Sequence, residues 1–247
     1  MLMKKLTLAL SAATACAFAG SAAAESFDSP LGKFDVSMTA TLASDYIWRG
    51  QSQTAGNGAI QGSLDIAHET GFYVGVWASN VDDFAFPGNN GGANIEVDYY
   101  AGYGGNITDD ISYDLQWATY TYPEANGLNV DEVLASVSAY GFTVGAKYAY
   151  DPDSKLYTYI AYDYELPYGI GLGLSYGRTD GKDHLNGDED RSTKYDDWSI
   201  GLSKTFAGVD VSVTYTDTDL KGSTCAAWYG KATYCDSNVT LAVSKTF

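Results

Sequence analysis

The chain has 247 residues and a mass of 26.4 kDa, with 31 acidic against 14 basic side chains, a formal charge of -17 and an isoelectric point near 4.2. Nucleic-acid affinity rests largely on Lys and Arg, so a chain this acidic is excluded as a binder of phosphate backbones. Aromatic residues reach 14% and charged residues only 18%, which excludes disorder as the main state, and 27 Gly with no G-X-Y period exclude collagen.

In chain order, Lys4 and Lys5 precede an apolar stretch from Leu6 to Gly20, and Ala22-Ala23-Ala24 offers the small residues that a signal peptidase reads. Residues 1–24 are therefore expected to be a cleaved secretory signal, leaving 25–247 as one domain. Ala13 stands three places before Cys16, where a lipoprotein signal wants a larger apolar residue, so a lipid anchor there is disfavoured. Beyond the signal no stretch approaches the ~18 consecutive apolar residues of a spanning helix.

Period-two alternation appears instead, again and again. In the first run Val36, Met38, Ala40, Leu42, Tyr46 and Trp48 share one face, and Asp35, Ser37, Thr39, Thr41, Asp45 and Arg49 share the other. Further runs begin near Ile60, Phe72, Ile95, Ile111, Val133, Phe142, Leu156, Ile170, Trp198, Val209 and Val239. Successive side chains of a strand point to opposite faces, so each run is apolar on one side and polar on the other. That makes about twelve strands, many near the ~9–11 residues a tilted strand needs to cross a bilayer.

Connections after the even-numbered runs are mostly short, as at Tyr140-Gly141 and Ala207-Gly208, whereas those after the odd-numbered runs are mostly long and polar, as at 81–92, 178–194 and 217–237. Short turns at one end and long loops at the other is the arrangement of outer-membrane barrels. Twelve apolar faces need an apolar partner, and inside lipid an open sheet edge would strand backbone donors and acceptors. The sheet is thus expected to close, apolar side out, as an all-β transmembrane antiparallel up-and-down barrel in the outer membrane of a Gram-negative bacterium. Tyr46, Trp48, Tyr99, Tyr103, Tyr148 and Tyr164 lie toward run ends, where an interfacial aromatic girdle would sit.

The polar parity defines the candidate site. Asp35, Asp45, Asp65, Glu96, Asp98, Asp114, Glu132, Asp163 and Glu165 fall on the inward face, opposed by Arg49 and Lys147. A lumen lined this way concentrates cations, unless acids and bases pair across it and plug it. Arg49 is either a constriction residue or half of a lumen ion pair with Asp45 or an acid on a neighbouring strand. Inward Tyr73, Tyr100, Tyr120, Tyr157 and Tyr159 are filler or a stacking track for sugars. The glycines at 169, 171, 173 and 177 leave room for bulky neighbours. Cys225 and Cys235 are close enough in sequence, and the compartment oxidising enough, to expect a disulfide; zinc would need two further ligands, with no His near.

Acids clustered at 180–190 lack EF-hand spacing and read as a solvated loop, with divalent bridging to lipopolysaccharide as the sharper alternative. The two His residues, His68 and His184, join no nucleophile motif, so no enzyme, cofactor or metal is expected. Ser-Lys-Thr-Phe occurs at 203–206 and at 244–247, and both copies are placed at the short-turn rim.

Ser44-Asp45-Tyr46-Ile47-Trp48-Arg49-Gly50-Gln51-Ser52-Gln53 resembles the first-strand motif of the TorF-type porin family, grouped with the Gcw_chp outer-membrane proteins of proteobacteria. Segments 71–81, 96–103, 120–123 and 148–153 are similar to further strands of that family, and the likeness loosens after about residue 178. The resemblance implies an outer-membrane barrel with a pore and supplies no substrate or catalytic residues. A terminal aromatic on an alternating last strand, Phe247 here, is similar to the signal read by the barrel assembly machinery, although Lys245 departs from that pattern. The expected partners are thus lipid bilayer, lipopolysaccharide, that machinery and small solutes or cations. The function expected is passive diffusion of small solutes with a preference for cations, and the alternative is a closed structural, adhesive or receptor barrel.

Overall fold

Alternating side chains leave a segment no helical stripe to bury, and the sheet that forms from them here follows chain order throughout. The computed structural model describes residues 25–82, 92–123, 125–181 and 193–247. Residues 1–24 and most of the acidic loop, with His184, lie outside the described residues.

The elements are β1 (Glu25–Ser29), β2 (Gly32–Ala43), β3 (Ile47–Trp48), β4 (Gln51–Ser52), β5 (Ala59–His68), β6 (Phe72–Asn80), β7 (Ile95–Asn106), β8 (Ile111–Thr121), β9 (Val130–Ala139), β10 (Phe142–Asp151), β11 (Lys155–Leu166), β12 (Ile170–Asp180), β13 (Lys194–Phe206), β14 (Val209–Thr218), α1 (Gly222–Tyr229) and β15 (Asn238–Thr246). From β5 to β15 every strand pairs antiparallel with its neighbour in sequence. β2 pairs with β5 along Phe34↔His68 to Ala43↔Ala59, and β15 returns to β2 along Ala242↔Ala43 to Thr246↔Thr39. The sheet therefore closes as a twelve-stranded antiparallel barrel, as the periodicity predicted. β1 pairs with the start of β2, on the edge whose later residues take β15, and so completes the seam.

The faces sort as alternation requires. Met38, Leu42, Ile60, Leu115, Val144 and Leu241 stand exposed on the outside, a continuous apolar belt that water cannot cover favourably. Tyr73, Tyr100, Tyr120 and Tyr157 are buried inside. Several inward rings lie flat over glycines of the neighbouring strand. A Cβ at Gly75 would overlap the Tyr100 ring, one at Gly102 the Tyr73 ring, and one at Gly177 the Tyr157 ring. Of the glycines expected to leave room, Gly177 does so in this way, whereas Gly169 sits in a turn with φ 65°.

The short-turn end is built from left-handed backbone. Tyr140 and Gly141 (φ 54° and 86°) and Ala207 and Gly208 (φ 50° and 78°) form two-residue hairpins. Two successive positive φ values match the right-handed twist of the flanking strands. Lys204 and Lys245 sit on the outer face of this rim, each ammonium about 5 Å from the ring two residues on (5.3 Å to Phe206 and 5.0 Å to Phe247). His68 packs at the same rim, its ring centroid 4.7 Å from that of Phe34 and its Nε2 2.9 Å from the Leu31 carbonyl.

Three expectations are corrected. The first run ends at Ala43, and Tyr46 and Trp48 leave the girdle: their segment turns into the barrel, and Tyr46 is buried there. β13 starts at Lys194, four residues before the expected start at Trp198, because Tyr195 and Asp197 continue its inward face. The 217–237 connection, expected only as a long polar loop, holds α1 and a 3-10 turn; the Cys225–Cys235 disulfide that joins them forms as expected, with Cα atoms 6.0 Å apart.

Candidate functional site: a lumen in two halves

Residues 44–58 connect β2 to β5 at the long-loop end and fold back inside as the β3–β4 hairpin. Asp45 organises this inner segment. Its carboxylate accepts from Ser52 (2.7 Å), Thr54 (2.7 Å) and Asn238 Nδ2 (2.6 Å). Burial pushes the Asp45 carboxyl above its ordinary range, and the Thr54 and Ser52 hydroxyls partly offset this. The Tyr46 hydroxyl donates to Glu96 at 2.9 Å, and Tyr122 donates to the other oxygen of Glu96 at 2.8 Å. Gln51, fully buried, donates to the Arg49 carbonyl (2.6 Å) and to Tyr195.

Arg49 lies at the centre. Its Nη2 donates to Glu132 Oε1 at 2.5 Å, and Tyr120 donates to Oε2 at 2.9 Å. Its Cζ is 4.7 Å from the Trp48 ring centroid and 4.5 Å from that of Tyr157, so the guanidinium is held between two aromatic rings. Burial opposes the Arg49 charge, but Glu132 beside it outweighs that and holds the guanidinium protonated above its ordinary range. The Lys147 ammonium lies 5.0 Å from the Trp48 ring, beyond the same ion pair. Tyr157 donates to Asp197 Oδ1 at 3.3 Å, while Asp197 Oδ2 and Asp98 Oδ1 are buried with no hydrogen-bond partner.

A second layer covers the inner segment. Trp228 of α1 packs edge-on against Tyr195 with centroids 5.3 Å apart, and Tyr229 shares a 3.0 Å hydroxyl contact with Tyr195. Tyr234, next to Cys235, donates to Asp82, whose own N–H donates to the Gln53 carbonyl at 2.7 Å. The disulfide thus fixes a cap that rests on the inner segment.

The short-turn half differs. Tyr73 donates to Asp114 at 2.8 Å and Tyr100 donates to Asp65, but these carboxylates are only half-buried. Asp163 and Glu165 stand exposed at the mouth. Each phenol donates its one O–H to a carboxylate oxygen.

Every inward residue expected from parity on a strand is found on the inner face. The ion-pair partner of Arg49 is Glu132, on β9, and not Asp45. Several inward or buried groups escaped the sequence reading, Lys33 and Asp210 at strand starts among them. Asp197 and Tyr195 lie on the part of β13 assigned to a loop; extending the alternation back from Trp198 would have placed both. Lys155, opposite inward Ala149, begins β11 inside the barrel for the same reason. Gln51 had no signal, since the hairpin carrying it is neither apolar nor periodic. Among the described residues no group of three His, Cys, Asp or Glu side chains is placed to hold a metal ion.

The model of the Gcw_chp family, described as a bacterial protein of unknown function, matches residues 27–247. The chain belongs to the Gcw_chp family. Among solved structures, this Gcw_chp chain is similar to a KdgM porin, with a TM-score of 0.52 at 10% identity over 85% of this chain and 99% of that one. It is also similar to Salmonella typhi OmpF in complex with daunomycin (TM-score 0.47, 10% identity, 90% of this chain and 100% of that one). The outer-membrane protein OprD of Pseudomonas aeruginosa gives a TM-score of 0.41 at 10% identity over 87% and 64% of the two chains. At such identities the KdgM likeness shows a shared barrel fold. No curated protein sequence matches the Gcw_chp chain.

Proposed function

We propose that this Gcw_chp protein is an outer-membrane channel for passive diffusion of small solutes, prefers cations, and is constricted at its long-loop half by the inner segment 44–58. One observation carries the reading. Asp28, Asp35, Asp45, Asp65, Glu96, Asp98, Asp114, Glu132, Asp163, Glu165, Asp197 and Asp210 line the interior, against Lys33, Arg49, Lys147 and Lys155. A negative lumen between low-dielectric walls draws in cations and resists anions. The barrel would have no chemical step; width and charge would set what passes. Residues 1–24 would be removed on export, and Phe247 would serve the assembly machinery, in keeping with the TorF-type resemblance.

The test is a planar bilayer under a salt gradient. A reversal potential of the cation-preferring sign is expected, reduced by Asp163→Asn with Glu165→Gln; anion preference would end the reading. A second reading, a closed barrel with a structural, adhesive or receptor role, is favoured by the buried residues of the inner segment. Silence in single-channel recordings of both the native chain and a variant with residues 45–57 replaced by a short Gly-Ser link would select it.

A further inference from the structure

Arg49 belongs to the chain, yet its surroundings are those of a bound ligand. The groups around it come from the barrel wall: Glu132 on β9 accepts from it, Tyr120 on β8 holds Glu132, Tyr157 on β11 stacks on it, and Asp197 on β13 stands behind Tyr157. They form two hydrogen-bonded pairs. Tyr120 holds the far oxygen of Glu132 (2.9 Å), and Tyr157 is tied through its hydroxyl to Asp197 (3.3 Å). These two bonds are made within the wall, between strand residues, and not to the inner segment. Asp197 is 2% exposed, and its Oδ2 has no hydrogen-bond partner, so the wall offers more acceptor capacity than the single contact to Glu132 uses. Arg49 Nε is likewise unpartnered, so the guanidinium does not exhaust the site.

The tether is a tight turn. Arg49 and Gly50 (φ 47° and 80°) are the two central residues of the β3–β4 hairpin, the same left-handed pair that turns Tyr140-Gly141 and Ala207-Gly208. A Cβ at Gly50 would come 2.9 Å from Asp197 Cβ, so the tip of this hairpin lies against the wall and presents the Arg49 side chain there.

We propose that Glu132, Asp197, Tyr120 and Tyr157 form a binding site for the guanidinium group of a diffusing solute, and that Arg49 fills it as a tethered substitute. A planar guanidinium is favoured over an ammonium, because it stacks on the Tyr157 ring while its fork reaches a carboxylate. The site deepens the cation preference proposed above and rests on it for its role in transport. Its existence as a binding site is separable.

Methylguanidinium is the probe, with the folded barrel in detergent and in planar bilayers. Arg49→Ala vacates the site; Arg49→Gln vacates the charge while keeping the bulk, and takes over should the alanine variant fail to fold. Millimolar methylguanidinium is expected to raise the melting temperature of the Arg49 variant by at least about 2 °C, since a ligand bound only by the folded state stabilises it. Native protein, in which Arg49 competes for the site, should shift by less than about a third as much at the same concentration, and the Arg49→Ala/Glu132→Gln double variant should not respond. In bilayers the same ion should block the Arg49→Ala current reversibly and leave the double variant conducting. A melting shift without any current would keep the site and sink the channel. No response in either assay, an equal response from the double variant, or an equal shift with sodium chloride would overturn the proposal.

Discussion

The two halves of the lumen use the same residue types for opposite ends. At the long-loop half, Glu96 and Glu132 are buried and locked by Arg49 and the phenols of Tyr46, Tyr120 and Tyr122. At the short-turn half, Asp65 and Asp114 keep one phenol each, and Asp163 and Glu165 face solvent. Desolvation makes the difference. A buried charge must find partners or lose stability, whereas a wet one contributes little to the fold and remains available to a passing ion. Stability and selectivity are therefore expected to separate along the barrel axis.

The largest break in that contrast is at the ion pair. Arg49→Ala leaves Glu132 charged and buried, so a loss of about 3–5 kcal/mol is expected in denaturant unfolding in micelles. Arg49→Met with Glu132→Leu, which removes both charges at similar volume, should recover most of it, and the difference measures their coupling. Next comes the cap: Cys225→Ser with Cys235→Ser is expected to cost about 2–3 kcal/mol, and faster proteolysis within 219–237 would locate the loosening. Gly177→Val forces the Tyr157 ring from its seat and should cost about 1–3 kcal/mol by the same unfolding measurement. At the other half, Asp163→Asn should change stability by no more than about 0.5 kcal/mol while lowering cation preference in reversal-potential measurements. Should Asp163→Asn destabilise as much as Arg49→Ala, the division between the halves fails.

Most of the barrel is legible without coordinates, because period-two alternation and the lengths of the connections are local signals that the closed sheet then satisfies everywhere. Leu115 and Trp117 point out and Gln116 in for a reason contained in three residues. The inner segment is different. Tyr46 and Trp48 continue the apolar parity of β2 on paper, yet they leave the sheet at Ala43, and what draws them inward is a set of partners 50 to 150 residues away: Glu96, Tyr120, Glu132 and Asp197. Parity cannot report a side chain whose strand has ended. The same holds for Gln51, whose place is decided by Tyr195. The β13 extension was accessible in principle, since Tyr195, Asp197, Ser199 and Gly201 alternate with Asp196, Trp198 and Ile200, but polar Lys194 and Asp196 on the outward parity hid it.

The seam of the sheet has a further use. Phe247 pairs with Met38 through two backbone hydrogen bonds (3.2 and 2.8 Å), and Glu25 lies opposite Val36, so β15 and β1 run in one line along β2 with a single register position, that of Ser37, between them. At ~3.3 Å of rise per residue, one inserted residue spans that interval. A permuted chain joined there and opened at the Tyr140-Gly141 hairpin would keep every ladder except the one turn it cuts, making this barrel a scaffold whose order of synthesis can be rewritten without moving a strand.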